Sequence, residues 1–215
     1  MPDPSPERLR DLIVAAGRRL GARGLISAGE GNVSARLADG RILITPSGRR
    51  KDELEAADLL EVPIEADPAA AATDGSTSGG AGPRPSSDLA IHRAVYAARP
   101  DVAAVIHAHL PAAMALTLAG EIPDPDALPE TALLLPRLPF VPFGTPGSIE
   151  LADRIAGALA AGPAPLPGAV LLERHGAVAV GASIDQALDR LELVEVLCRT
   201  WRDALLIRAA RSSLR

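Results

Sequence analysis

The stretch Val102-Ala103-Ala104-Val105-Ile106-His107-Ala108-His109 decides how this chain is interpreted. Its apolar run is short and rich in valine and isoleucine, which predicts a buried strand rather than a helix. Because side chains alternate across a strand, His107 and His109 project to one face and Ala108 to the other. Two neighbouring imidazoles at a strand end suit one metal ion; the alternative is a pair of hydrogen-bonded histidines at a surface strand end.

Length and composition indicate a globular protein. The 215 residues are 47% hydrophobic and 23% charged, so we expect residues 1–215 to form a single domain. The net charge is −5, so the chain lacks the excess of basic residues typical of nucleic-acid-binding proteins, and we expect no nucleic-acid partner. The one cysteine, Cys198, excludes an internal disulfide and a cysteine-based zinc site. Neither a signal peptide nor an apolar run of about 18 residues occurs, so we expect a cytoplasmic protein without a membrane partner.

Sequence patterns predict helices that alternate with short strands. Apolar residues at helical spacing predict five helices, at about residues 5–21, 87–99, 111–120, 148–161 and 183–208. Short apolar runs predict six strands, at about 33–37, 41–45, 59–64, 102–109, 169–173 and 177–180. The segment 123–142 contains six prolines and should be mostly extended, and residues 67–82 should form a flexible surface loop. This order favours a layered α/β domain with a partly antiparallel sheet.

A third histidine strengthens the metal hypothesis. His175 lies in a predicted turn between two apolar strands. Three neutral imidazoles with an open fourth position are typical of a catalytic zinc site, whereas structural sites are closed, usually by cysteines. The alternative for His175 alone is an exposed turn residue. The remaining histidine, His92, is predicted in mid-helix near Leu89 and Tyr96, which favours a structural histidine with satisfied hydrogen bonds.

The segment Arg84-Pro85-Ser86-Ser87-Asp88 suggests an anion site at a helix N-terminus. Two hydroxyls, their backbone N–H groups and the helix dipole attract an anion, although ordinary helix capping explains the same residues. Two other polar turns, at 31–34 and 45–48, offer backbone amides suited to phosphate oxygens. Asp88 would then lie between a phosphate cradle and a metal.

These elements together resemble a known family, the class II aldolase/adducin-head family, and within it the zinc-dependent L-fuculose-phosphate aldolase-like enzymes. The resemblance covers about residues 9–208 and is carried by five motifs in order: GNVSAR (31–36), ITPSG (44–48), PSSD (85–88), VIHAHLP (105–111) and ERHGAVAVG (173–181). It implies a three-layer α/β/α domain with a central mixed, largely antiparallel sheet. It also implies a homotetramer with active sites at the subunit interfaces.

The resemblance also implies roles for individual residues. The family's zinc ligands correspond to His107, His109 and His175, and its catalytic carboxylate corresponds to Asp88. Its substrate phosphate-binding residues correspond to Asn32, Ser47, Gly48, Ser86 and Ser87. The fuculose-phosphate aldolases have glutamate at the position of Asp88, whereas the ribulose-phosphate 4-epimerases have aspartate there.

The activity implied is zinc-dependent aldol cleavage of a small phosphorylated ketose similar to fuculose 1-phosphate, giving dihydroxyacetone phosphate and an aldehyde. Zinc would act as the Lewis acid that holds the carbanion charge. Asp88 would move the proton at C3, and we expect burial or proton sharing to raise its pKa. The chain has one lysine, Lys51, which argues against a Schiff-base aldolase.

Three alternatives stay open. A 4-epimerase is favoured by Asp88, but the segment after His109 lacks the residues that epimerases use for proton transfer. A sugar-phosphate dehydratase is the second alternative, and an adducin-like oligomerisation module is the third, although adducin heads lack the metal histidines. The tyrosine that some aldolases donate from a neighbouring subunit is missing, since the only tyrosine is Tyr96. Glu130 is the nearest ionisable residue in that region.

Overall fold

A seven-stranded mixed sheet forms the centre of the structure, a computed structural model that describes residues 4–65 and 82–214. Its strands are β1 (Asn32–Arg36), β2 (Arg41–Ile44), β3 (Leu60–Pro63), β4 (Ala104–Ala108), β5 (Phe140–Val141), β6 (Ala169–Leu172) and β7 (Gly176–Gly181). Their order is β3-β2-β1-β4-β7-β6-β5. Every neighbouring pair is antiparallel except β5 and β6, so the predicted mixed, largely antiparallel sheet is confirmed.

Helices cover both faces of this sheet. They are α1 (Pro6–Ala22), α2 (Leu89–Ala98), α3 (Pro111–Leu118), α4 (Pro129–Leu134), α5 (Ile149–Ala160) and α6 (Ile184–Ser212). The apolar faces of α1, α3 and α6 share one buried cluster with one side of the sheet. Those of α2 and α5 share a second cluster with the other side. This arrangement confirms the three-layer α/β/α architecture.

Strand β4 lies at the middle of the sheet and is buried along its whole length. Ala104, Ile106 and Ala108 belong to the α1/α3/α6 core, whereas Val105 belongs to the α2/α5 core. By the alternation of strand side chains, His107 therefore points to the α2/α5 face. The apolar residues of β4 fill both cores, and the same pattern places an imidazole at the end of the strand.

Serine caps begin three of the predicted helices. The hydroxyls of Ser5, Ser148 and Ser183 accept hydrogen bonds from backbone N–H groups in the first turns of α1, α5 and α6. The prediction that Ser87 caps a helix is wrong, because Asp88 occupies the N-cap of α2 and its side chain makes no capping hydrogen bond. The carboxylate instead accepts a hydrogen bond from a neighbouring strand.

The proline-rich segment 123–142 is less extended than expected. It contains a 3-10 turn, Pro125–Ala127, and the helix α4, which begins at Pro129. Proline is favourable at the first position of a helix, where its missing N–H has no intrahelical partner. The predicted loop at 67–82 lies almost entirely outside the described residues, and a single domain for 1–215 stays a prediction. None of the described helices is long and apolar enough to cross a membrane.

A glycine brings the turn before β7 against the end of β4. Gly176 has a φ of 93°, and a Cβ built there would lie 2.1 Å from the Ala108 carbonyl oxygen and 2.8 Å from the His109 Cα. Only a residue without a side chain fits this gap. The close approach therefore places His175 beside the end of β4.

We expect Gly176→Ala to destabilise the protein by at least about 2 kcal/mol, since it adds a left-handed backbone penalty to a clash with β4. Gly157→Ala is the matched control, because Gly157 lies on α5 with open space around it and should gain up to about 1 kcal/mol of helix stability. Urea unfolding of both variants measures the two effects. Equal stabilities would contradict the proposed close packing at Gly176.

Candidate active site

Three histidines meet at one end of the sheet. The ring centroids of His107 and His109 are 5.0 Å apart, and each lies 4.7 Å from that of His175. One nitrogen from each ring lies within 4.8 Å of the others. His107 is the penultimate residue of β4, His109 directly follows that strand, and His175 lies in the turn before β7. The structure therefore brings together the three residues that the sequence assigned to a metal.

His107 is fully buried and has a defined tautomer. Its Nδ1 lies 3.0 Å from the Ala177 carbonyl oxygen, which only accepts, so Nδ1 carries the proton. Its Nε2 is buried and has no hydrogen-bond partner among the described residues. Burial lowers the pKa of His107 to about 3, so the ring is neutral at pH 7. A neutral imidazole with a free Nε2 lone pair is the form that ligates metals.

A carboxylate orients the second histidine. Glu30 Oε2 lies 3.0 Å from His109 Nδ1, and Glu30 Oε1 accepts a hydrogen bond from the Ser27 backbone N–H at 2.6 Å. The ionised carboxylate accepts the proton of Nδ1, which leaves the Nε2 lone pair of His109 available. Carboxylates bonded to the outer nitrogen of a histidine commonly fix the orientation of metal ligands.

The three histidines fit a divalent metal by their chemistry. His175 has a pKa lowered by burial, and its Nδ1 is buried without a hydrogen-bond partner in the described part of the chain. Three imidazole nitrogens within 4.8 Å of one another would suit a single divalent ion, since histidine nitrogens are common zinc ligands. Three protein ligands leave a fourth position open, which is the pattern of a catalytic rather than a structural site.

A cavity of about 140 Å³ opens beside the histidines, and we call it the site cavity. It is lined by all five predicted phosphate-binding residues, Asn32, Ser47, Gly48, Ser86 and Ser87, and also by Gly29, Glu30, Gly31, Lys51, Asp88, His109, Pro146 and His175. A larger cavity of about 480 Å³, lined by Leu37, Val102 and Ile184, lies at the opposite ends of β1 and β4 and contains no histidine.

Backbone hydrogen bonds join the two serine-containing turns. The Ser47 N–H donates to the Arg84 carbonyl at 2.9 Å, and the Ser86 N–H donates to the Thr45 carbonyl at 3.2 Å. Gly48 has a φ of 71°, which lets the chain turn away after Ser47. Residues that are distant in the sequence therefore line one side of the site cavity.

We call the cavity-lining set Asn32, Ser47, Gly48, Ser86 and Ser87 the cradle. Asp88 lies between the cradle and the histidines. Its Oδ2 accepts a hydrogen bond from Asn32 Nδ2 at 2.8 Å and lies 3.9 Å from His107 Nε2. Burial by itself raises the pKa of Asp88, but attraction to the neighbouring histidines and the Asn32 hydrogen bond outweigh it and lower the pKa. The expected raised pKa is therefore wrong. The Asn32 hydrogen bond favours the ionised form of this carboxylate.

A buried hydrogen-bond chain supports Asn32 from behind. Because its amide nitrogen donates to Asp88, its Oδ1 accepts the Nε2 proton of His92 at 2.5 Å. His92 Nδ1 then accepts from the Ser34 hydroxyl at 2.6 Å, and that hydroxyl accepts from Tyr96 at 2.9 Å. His92 is thus a structural histidine with satisfied hydrogen bonds, as predicted. All donors in the chain point toward Asp88.

Sequence reasoning missed two ionisable residues of the site cavity, Glu30 and Lys51. Glu30 directly precedes the GNVSAR motif, and Lys51 is the only lysine, so each had a visible signal. Their roles depend on contacts across the fold. Glu130 lies exposed on α4, and Tyr96 is buried on α2 away from the cavity lining.

Comparison with known proteins identifies the family. The family model for the class II aldolase and adducin N-terminal domain matches residues 11–202. The chain is 36% identical over 198 residues to methylthioribulose-1-phosphate dehydratase from Acidiphilium cryptum, covering 88% of this chain and 87% of that protein. It is 35% identical over 198 residues to 3-oxo-tetronate 4-phosphate decarboxylase from Cupriavidus necator, covering 90% and 83%.

A solved structure shares the fold. The L-fuculose-1-phosphate aldolase from Thermus thermophilus superposes with a TM-score of 0.76 at 30% identity, covering 94% of this chain and 96% of that one. The family predicted from the motifs is therefore confirmed. The relatives carry out different reactions, so the particular reaction is not decided by likeness alone.

We expect Glu30→Gln to weaken divalent-metal binding about tenfold, because the amide still accepts from His109 but no longer carries the charge that strengthens the ligand. Competition against a chromophoric chelator measures the affinity without reference to activity. Glu53→Gln, at an exposed glutamate paired with Arg50, is the control and should bind metal like the parent protein. Unchanged affinity in Glu30→Gln would show that Glu30 does not support the metal site.

Acid should destabilise the protein partly through His92. Burial lowers its pKa to about 4, while the nearby Asp88 charge opposes this shift and Tyr96 stays neutral. Since the unfolded histidine binds a proton below about pH 6.5, the stabilising contribution is present above that pH and declines as pH falls toward 4. From pH 7 to 5 the loss is about 2 kcal/mol.

The measurement is urea unfolding at pH 7 and pH 5. The parent protein should lose about 2 kcal/mol more than His92→Gln over this interval, because glutamine does not titrate. Parallel pH profiles for the two proteins would contradict the assignment. The comparison is a difference, so other titrating groups common to both proteins cancel.

Proposed function

The chain belongs to the class II aldolase and adducin N-terminal domain family, and we propose that it is a divalent-metal-dependent lyase acting on a small phosphorylated ketose. One observation carries the proposal: the histidine cluster, the Asp88 carboxylate and the serine turns meet at a single cavity. The adducin-like alternative, a non-catalytic module, gives no reason for three imidazoles to converge.

The substrate phosphate binds in the cradle. Asn32, Ser47, Ser86 and Ser87 offer side-chain donors on one side of the site cavity, and Gly48 and Ser87 offer backbone N–H groups. Ser86 and Ser87 precede Asp88, the N-cap of α2, whose N-terminal dipole favours an anion. Binding energy from the phosphate thereby orients the reacting carbons at the other side.

Asp88 serves as the base. Its lowered pKa keeps it ionised at neutral pH, and the Asn32 hydrogen bond holds Oδ2 while the second oxygen is left for substrate. In this position Asp88 accepts a proton from the carbon next to the ketose carbonyl, or from the hydroxyl of the cleaved carbon. The chain from Tyr96 through Ser34 and His92 keeps Asn32 in the donating orientation.

We propose that His107, His109 and His175 hold zinc, with other divalent metals as alternatives. When bound, the ion supplies Lewis-acid stabilisation of the negative charge that develops on the substrate oxygens. The neutral rings of His107 and His175 and the Glu30 contact to His109 prepare these ligands.

Dehydration is the reaction that we place first. Removal of the proton next to the carbonyl and loss of hydroxide from the neighbouring carbon, which leaves as water, gives an enol that becomes a ketone. Two dehydratase relatives, from Acidiphilium cryptum and Gluconacetobacter diazotrophicus, are 36% and 35% identical to this chain and support this order. A positioned base is required for dehydration, whereas decarboxylation of a 3-oxo acid requires none.

Aldol cleavage, the reaction implied by the sequence motifs, is the second candidate. It is supported by the fold shared with L-fuculose-1-phosphate aldolase at a TM-score of 0.76. It uses the same parts, since the base takes a hydroxyl proton and the C3–C4 bond breaks to leave the same kind of carbanion. We further propose one domain over residues 1–215 and a homotetramer whose interfaces complete the active sites.

Substrate assays on the metal-loaded protein test this function. Methylthioribulose 1-phosphate, fuculose 1-phosphate, 3-oxo-tetronate 4-phosphate and ribulose 5-phosphate separate the candidate reactions by their products. We expect loss of water from the first, ahead of release of dihydroxyacetone phosphate from the second. Xylulose 5-phosphate from the fourth would favour the epimerase instead, and no turnover of any phosphorylated substrate would refute the lyase proposal.

Two variants test the residue roles. Asp88→Asn keeps the shape of the side chain but removes the base, so kcat should fall by at least about 100-fold while the metal content is retained. His107→Ala should lose the metal and the activity together. If Asp88→Asn loses its metal, Asp88 is a ligand rather than the base, and full activity in His107→Ala would contradict the metal mechanism.

A further inference from the structure

A buried lysine lies under the phosphate cradle. Lys51 is 2% exposed, begins the 3-10 turn Lys51–Glu53 and lines the site cavity. Its Nζ donates to the Gly29 carbonyl at 2.7 Å and to the Arg49 carbonyl at 2.6 Å. These two carbonyls belong to the loop before β1 and to the turn after β2, so one ammonium group joins both walls of the cavity.

No carboxylate among the described residues forms an ion pair with this ammonium group. The two preceding residues are cations as well, but Arg49 pairs with Asp58, and Arg50 pairs with Asp52 and Glu53. Lys51 forms no ion pair in the described ranges, 4–65 and 82–214. Of three consecutive cations, the two exposed ones are neutralised and the buried one is not.

A buried charge without a counter-ion is unfavourable unless something compensates it. The two carbonyls compensate only part of the charge, and burial accordingly lowers the pKa of Lys51, against the attraction of Asp88. An ammonium has three N–H donors, of which carbonyls accept two. The third donor and the net charge match an anionic group in the site cavity.

We propose that Lys51 is the anion-binding cation of the cradle, contributing its charge and its third donor to the substrate phosphate while it holds the two walls together. The serines and backbone amides of the cradle are neutral, so they supply geometry but no net charge. This inference rests on the proposed function, because it requires a phosphorylated substrate. It adds an electrostatic component that the motif-derived set of binding residues lacks.

Three variants of the metal-loaded protein separate the effect of the Lys51 charge from the effect of its hydrogen bonds to the two carbonyls. Lys51→Gln keeps an N–H donor for the carbonyls but removes the charge, whereas Lys51→Arg keeps the charge. Arg50→Gln is the matched control, at an adjacent exposed cation already paired with carboxylates. The probe is inorganic phosphate, titrated by calorimetry and by the rise in Tm.

We expect Lys51→Gln to bind phosphate at least tenfold more weakly than the parent protein, and Lys51→Arg and Arg50→Gln to stay within about threefold. With a phosphorylated substrate, KM should rise at least tenfold in Lys51→Gln with a smaller change in kcat. Phosphate binding by Lys51→Gln at the parent affinity would reduce Lys51 to a clamp and overturn the proposal.

The unsubstituted protein gives an independent measurement. Because the chain has one lysine, protein labelled with ¹³C-lysine shows a single ε-methylene signal. This signal should shift with phosphate concentration and saturate at the calorimetric Kd. A phosphate-stabilised protein whose lysine signal does not move would contradict the role of Lys51 alone, whereas a parent protein that does not bind phosphate would contradict the proposed function as well.

Discussion

The pairing of β4 with β1 on one side and β7 on the other is the constraint on which the candidate active site depends. In this register His107 faces Asn32 on β1 and Val178 on β7. The first pairing aligns the histidine with the amide that holds Asp88, and the second carries His175 to the same sheet end. Gly176 makes this possible, since any side chain there would displace the end of β4. One strand thus organises both the metal ligands and the base.

The buried polar groups around β4 form a hydrogen-bond chain in which every donor points the same way. Tyr96, Ser34, His92 and Asn32 each donate to the next group, and the chain ends on the Asp88 carboxylate. A polar group in the core loses its hydrogen bonds to water, so its burial is unfavourable unless it forms hydrogen bonds within the protein. A chain with one consistent direction fixes the tautomer of His92 and the orientation of Asn32, and so holds the carboxylate in a single position.

The reactions named for relatives of this family have one electronic requirement in common. Dehydration of a phosphorylated ketose, aldol cleavage and decarboxylation of a 3-oxo acid each place negative charge on a carbon beside a carbonyl. The proposed metal-binding histidines, carboxylate and phosphate cradle would serve all three reactions, which is consistent with one fold hosting different activities. Two further charged residues, Glu30 and Lys51, also line the site cavity.

Local patterns in the chain were sufficient to predict the layered α/β class and most element positions, and the family resemblance named the histidines and cavity-lining residues that the structure brings together. Strand alternation, helix periodicity and serine caps act over a few residues, so they can be recognised without the fold. The lowered pKa of Asp88, the Glu30 contact to His109 and the unpaired charge of Lys51 could not be predicted in this way. Each depends on burial and on groups from distant segments, and these long-range electrostatic and packing effects exist only once the chain has folded.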